Sequence, residues 1–100
     1  MHMWTFLTNH AQVLLCIARS QRMTAKEIAE VVGITERAVQ RLIRDLGESG
    51  YIMRVRVGRQ NRYVINTDQP LRHPAQEGRP ISELIDLLAP RPTAVTRVRS

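Results

Sequence analysis

Thr24 to Asn66 read TAKEIAEVVGITERAVQRLIRDLGESGYIMRVRVGRQNRYVIN, and the fold turns on this stretch. Thr24 and Glu27 stand at N-cap and N3 spacing, where each side chain can satisfy a backbone donor of the other. A short helix is predicted from Ala25 through Val32. Gly33 suits a tight turn because it accepts positive φ without steric cost, Ile34 can plug the angle between two helices, and Thr35 can cap the second. That second helix should run to about Ser49, with Gly50 as its stop. Two β-rich runs follow, Tyr51 to Val57 and Arg62 to Asn66, separated by Gly58, Arg59, Gln60 and Asn61. Gly and Asn near the tip mark a hairpin.

The second helix has two unlike faces. Val39, Leu42, Ile43 and Leu46 recur at helical spacing and form a stripe to bury, while Arg37, Gln40, Arg41 and Arg44 fall on the other side. On an exposed helix entering the major groove, Arg can bind guanine edges bidentately and Gln can do the same for adenine. A solvated charged face is the competing reading. Ile28, Ala29, Val32, Gly33, Ile34, Val39 and Leu42 match the helix-turn-helix pattern of core residues, small contact residue and turn glycine. The continuation GESGYIMRVRVGRQNRYVI resembles the end of a recognition helix leading into the wing of MarR- and ArsR-type winged helix-turn-helix regulators. The resemblance covers about two thirds of the chain, from the first helix to the wing. It implies an α+β fold, a three-helix core with a β-hairpin wing, to which a short C-terminal helix is added.

In the first wing run Tyr51, Met53, Val55 and Val57 alternate with Ile52, Arg54 and Arg56, so one face is expected to pack and the other to be largely charged. Arg59 at the tip and Arg62 behind it suit a narrow, strongly negative minor groove or the phosphates. Arg54 and Arg56 are weaker candidates, and arginines that simply protect an edge strand from aggregation are the alternative. As winged-helix proteins commonly have one, a one- or two-residue strand at Met23 is expected against the wing.

The 100 residues suffice for one modest core. A formal net charge of +6 favours a polyanionic partner without choosing among DNA, RNA and an anionic membrane surface. Arginine supplies nearly all of it, Lys26 being the sole lysine, a bias that genomic base composition also produces. The single cysteine, Cys16, excludes an internal disulfide and is compatible with a reducing cytosol. Without an apolar run long enough to span a membrane, or a signal-peptide pattern, a soluble cytoplasmic protein is expected.

Upstream, MWTFLTNHAQVLLCIARSQ should hold the first helix, from about Thr8 or Asn9 to about Ser20. Its centre, Val13 to Ala18, is apolar nearly all round, which implies a second surface to cover it. Trp4, Phe6 and Leu7 add bulky apolar area before it. His10 and Cys16 lack partner ligands at metal spacing and read as ordinary helix residues. Downstream, residues 67–80 lose periodicity and form a linker or an ordered loop, with His73 as polar surface. Ile81, Leu84, Ile85 and Leu88 mark a short amphipathic helix over residues 81–89, begun by Pro80. It must dock, on the first helix of its own chain or of a second copy. The MarR-like resemblance implies dimerisation through terminal segments, so Trp4, Phe6, Leu7, Leu14, Ile81, Leu84, Ile85 and Leu88 are the expected dimer interface. Residues 90–100 are expected to be a loose basic tail.

The chain has no glycine-rich phosphate loop, metal-ligand cluster or nucleophile beside a base, so no enzyme and no cofactor is expected. Metal sensing of the ArsR type would need cysteines near the recognition helix, which has none. The long terminal helices around MarR-type effector pockets are lacking too, so a small-molecule effector stays unassigned. The expected function is sequence-specific binding of double-stranded DNA by a homodimeric regulator, more often a repressor, with residues 1–66 as its DNA-binding domain. Thr35 and the helix N-terminus would anchor a phosphate, Arg37, Gln40 and Arg41 would read bases, and Arg44, Arg59 and Arg62 would hold backbone or minor groove. A winged-helix protein-docking module is the rival. RNA is disfavoured because the basic surface lacks stacking aromatics.

Overall fold

A computed structural model describes residues 4–89; the expected basic tail, 90–100, lies outside the described residues. Three helices come first: α1 (Asn9–Arg19), α2 (Ala25–Val32) and α3 (Glu36–Glu48). Two strands, β1 (Ile52–Val57) and β2 (Gln60–Ile65), pair antiparallel. A 3-10 turn at Pro74–Gln76 and helix α4 (Ile81–Leu88) follow. This is the α+β winged helix-turn-helix arrangement with an added C-terminal helix.

Each helix start is chemically specified. Thr8 caps α1 by accepting the Ala11 N–H, and Thr35 caps α3 by accepting the Ala38 N–H at 3.0 Å. The α2 box is complete: the Glu27 N–H donates to Thr24 Oγ1 at 3.1 Å, and the Thr24 N–H donates to Glu27 Oε1 at 2.8 Å. Gly33 ends α2 at φ 85°, ψ 33°, a left-handed conformation that costs an L side chain strain, and its N–H and that of Ile34 both reach the Ala29 carbonyl. At the end of α3 the Tyr51 N–H returns to the Leu46 carbonyl and the Gly50 N–H to that of Gly47.

Val13, Ile17, Ile28 and Val39 are the fully buried centre, joined by Leu14, Ile43, Leu46, Ile52 and Ile81. Helix α1 touches α2, α3, β2 and α4, which explains why Val13–Ile17 are all buried within one chain. Its all-round apolarity therefore needs no second copy; α4 of the same chain supplies the missing cover. Leu14 and Ile81, expected at a dimer interface, are only 2% and 4% exposed and have almost no surface left to offer. Leu84 and Ile85 also pack against this core.

Residues 67–80 form an ordered loop. Backbone bonds tie Leu71 to Arg79, Ile81 to Gln69 and Ser82 to Thr67, while the Tyr51 hydroxyl donates to the Pro70 carbonyl at 2.6 Å. Gln69 Nε2 donates to the Ser49 carbonyl at 2.9 Å, so this loop also holds the last turn of α3.

The wing departs from expectation in three ways. Gly58 at φ 62° allows a two-residue turn, Gly58-Arg59, closed by the Val57–Gln60 pair, so β2 begins two residues earlier than the sequence suggested. Second, the packed face carries Ile52, Tyr63 and Ile65, whereas Met53 is 63% exposed and Val57 and Val64 face solvent. Tyr51 misleads the alternation because it precedes the strand and is buried under the loop. Third, Met23 forms no strand: its N–H bonds to the Ser20 carbonyl and its side chain packs on the core. Among the described residues no helix is long and apolar enough to cross a membrane.

Candidate nucleic-acid interface

Helix α3 buries Val39, Ile43 and Leu46 and leaves Arg37, Gln40, Arg41 and Arg44 exposed. Its N-terminal half stands free at the surface, opened by the exposed Thr35 cap. The Thr35 oxygen is already used by the Ala38 N–H, so a phosphate here would be met by the hydroxyl proton and by the free N–H groups of the first turn. Glu36 shares that turn and favours the helix dipole while opposing an anion.

The strand register decides what the wing presents to α3. Ile52 pairs with Ile65 and Arg54 with Tyr63, and cross-strand partners share a face. Because Ile52 and Ile65 point into the core, Arg54 and Tyr63 lie on the same side, toward the helices. A cleft of about 430 Å³ between α3 and the wing is lined by Gln40, Arg44, Glu48, Arg54 and Tyr63. A second, of about 280 Å³, continues it toward the start of α2, adding Arg22, Gln60 and Asn61 and sharing Gln40, Arg54 and Tyr63. Together they make one basic groove running from the middle of the exposed α3 face to the wing.

Arg62 pairs with Val55 and so belongs to the opposite face of the hairpin, beside Met53 and Val64. Its Nε is closed off from solvent without a hydrogen-bond partner among the described residues. Arg59 occupies the exposed tip. The structure thus brings Gln40 and Arg44 together with Arg54, places Arg37 and Arg41 on the same exposed helix face, and sets Arg59 and Arg62 apart from the groove. Sequence reading gave Arg54 little weight and omitted Arg22, Asn61 and Tyr63. The structural register, which pairs Arg54 with Tyr63 on the face of Ile52, places them; alternation in the sequence left that face open, and nothing local marked Arg22.

The arginines of this surface are not neutralised by carboxylates. Among the described residues the ion pairs are His10–Asp45 at 2.8 Å and Arg79–Glu83 at 2.7 Å, and neither involves a groove residue. Arg37, Arg41, Arg44, Arg54 and Arg59 make no described hydrogen bond or ion pair, and one carboxylate, Glu48, lines the first cleft without pairing with them. Among the described residues no group of three or more His, Cys, Asp and Glu side chains is placed to hold a metal ion.

Comparison with curated proteins gives no significant match. Residues 8–53, from the cap of α1 to the second residue of β1, match the family model described as winged helix-turn-helix DNA-binding, in keeping with the winged helix-turn-helix fold of the chain.

Proposed function

We propose that the protein is a transcriptional regulator that binds a specific duplex DNA sequence as two copies and represses by occupying its operator. The observation that carries this reading is the exposed α3 face: Arg37, Gln40 and Arg41 are exposed and lack described partners, next to a groove walled by Arg44 and Arg54. Arg37, Gln40 and Arg41 read base edges in the major groove. Thr35 with the α3 N-terminus, Arg44, Arg59 and Arg62 hold phosphates or the flanking minor groove, and Arg54 joins them from the packed side of the wing. Regulators of the MarR and ArsR type are the resemblance, and the cytoplasm is the compartment such a role implies.

The test is selection of bound duplexes from a random pool at low and near-physiological salt, with the wild type and Arg41→Ala. An enriched palindrome with half-sites about one helical turn apart, lost in the variant, is the expected result. Binding without enrichment that disappears as salt rises would refute sequence reading. A second reading, docking of a protein on the wing, has one observation in its favour: Met53, Val57 and Val64 form an exposed apolar outer face. That reading predicts the second outcome.

A further inference from the structure

We infer that two copies associate by reciprocal insertion, Trp4 and Phe6 of each copy seating in an apolar cleft at the start of α1 of the other. This rests on the two-copy reading above and assigns its contact. The cleft has a volume of about 350 Å³; the partly exposed Leu71 and Leu84 line it over the nearly closed Leu14, Leu46 and Tyr51, with His10 and Arg72 also among its lining. No carboxylate lines it. Its volume is in the range that accepts a compact apolar group, and its walls are mainly apolar, with Thr8, His73 and Gln76 also lining it and the Arg72 cation suiting the negative face of an aromatic ring.

The matching feature stands beside it. Trp4 and Phe6 are 76% and 90% exposed, although their rings already meet edge to face with centroids 4.9 Å apart. An aromatic pair ordered against itself and left in water is preassembled for a hydrophobic seat. The Thr5 hydroxyl donates to the Leu7 carbonyl at 2.8 Å, fixing a bend that carries Phe6 outward from its own chain. Thr8, two residues after Phe6, lines the mouth of the cleft. A projection next to a complementary hollow satisfies both when a second molecule approaches across a twofold axis, because each projection then meets the other's hollow. The cleft shares no lining residue with the groove between α3 and the wing, so both surfaces can be engaged at once.

Trp4 is the sole tryptophan, so its emission reports directly on the contact. Sedimentation over a range of concentrations would be run beside Trp4 emission and acrylamide quenching on the full chain, wild type and Phe6→Ala. The expected result is a dimer whose formation shifts Trp4 emission to the blue and shields it from acrylamide, with Phe6→Ala raising the dimer dissociation constant at least tenfold. Phe6 makes little intrachain contact, so its loss leaves the protomer folded; Leu71→Arg, which fills the cleft mouth with charge, should weaken the dimer likewise. A dimer in which Trp4 stays as open to acrylamide as free indole would overturn the insertion and leave the two-copy reading standing. Shielding that does not change with concentration would place the ring in its own chain's cleft and overturn the proposal. A monomer throughout would overturn both the insertion and the two-copy reading, while the random-pool selection judges DNA binding separately.

Discussion

Arg54 and Arg62 differ in one respect that sets their roles: they stand on opposite faces of the same hairpin. Arg54→Ala should weaken binding to all duplexes alike and reduce the salt slope by about one, as loss of a phosphate contact does. Arg41→Ala, on the exposed face of α3, should instead lower discrimination at one base position by roughly 1–3 kcal/mol. Competition titrations with the selected operator and scrambled DNA separate the two; equal losses on both DNAs for Arg41→Ala would refute base reading. The α3 candidates were legible because a 3.6-residue period with buried Val39, Ile43 and Leu46 leaves only one way for Arg37, Gln40, Arg41 and Arg44 to point. Arg54 was not, since a strand's parity depends on one residue's burial. Tyr51 and Ile52 are both buried and adjacent, so alternation alone could not say which of them starts the count.

Among the elements, α2 is the one whose boundaries are written most fully in its own side chains. Thr24→Ala removes one half of a reciprocal cap and should cost about 1 kcal/mol of unfolding free energy in urea melts. Gly33→Ala meets open space but keeps φ at 85°, so it should destabilise by about 1–2 kcal/mol through backbone strain alone. No loss for Gly33→Ala would mean the turn relaxes to another conformation. Ile28→Ala, at the buried centre, should cost roughly 2–5 kcal/mol, a large share of the stability of a domain this size. Caps, turn glycine and helical periods are local signals, which is why α1, α2 and α3 were readable nearly to the residue. What covers α1 is not local: whether the apolar surface of Val13–Ile17 is closed by α4 of the same chain or by another copy depends on the path of residues 67–80. That path is set by hydrogen bonds such as Tyr51 to Pro70, which no periodicity announces.

Taken as one body, the protein combines a surplus of unpaired arginines on the groove with a core closed from both ends of the chain. If Arg44, Arg54, Arg59 and Arg62 each neutralise one phosphate, log K should fall with log salt with a slope of about −3.6 per protomer. A slope near zero would remove these residues from the DNA contact. Burial pushes the Cys16 thiol's pKa up, against a smaller opposing pull from the Arg19 charge, and the thiolate is the reactive form. Iodoacetamide should therefore modify Cys16 slowly in the folded protein and rapidly past the urea midpoint; fast modification without denaturant would show that α1 opens locally.

The tether from Gln69 to Ser49 and the seat of Ile81 in the core have a consequence for the order in which the protein is made. A nascent chain emerging from the ribosome exposes α2 and α3 long before it releases the residues that secure them. The last turn of α3 waits for Gln69, and the far side of α1 waits for Ile81. Residues 8–53 alone would leave the ribosome with part of their apolar surface uncovered, so α3 is held in its final place only once the segment through Ile81 has been translated.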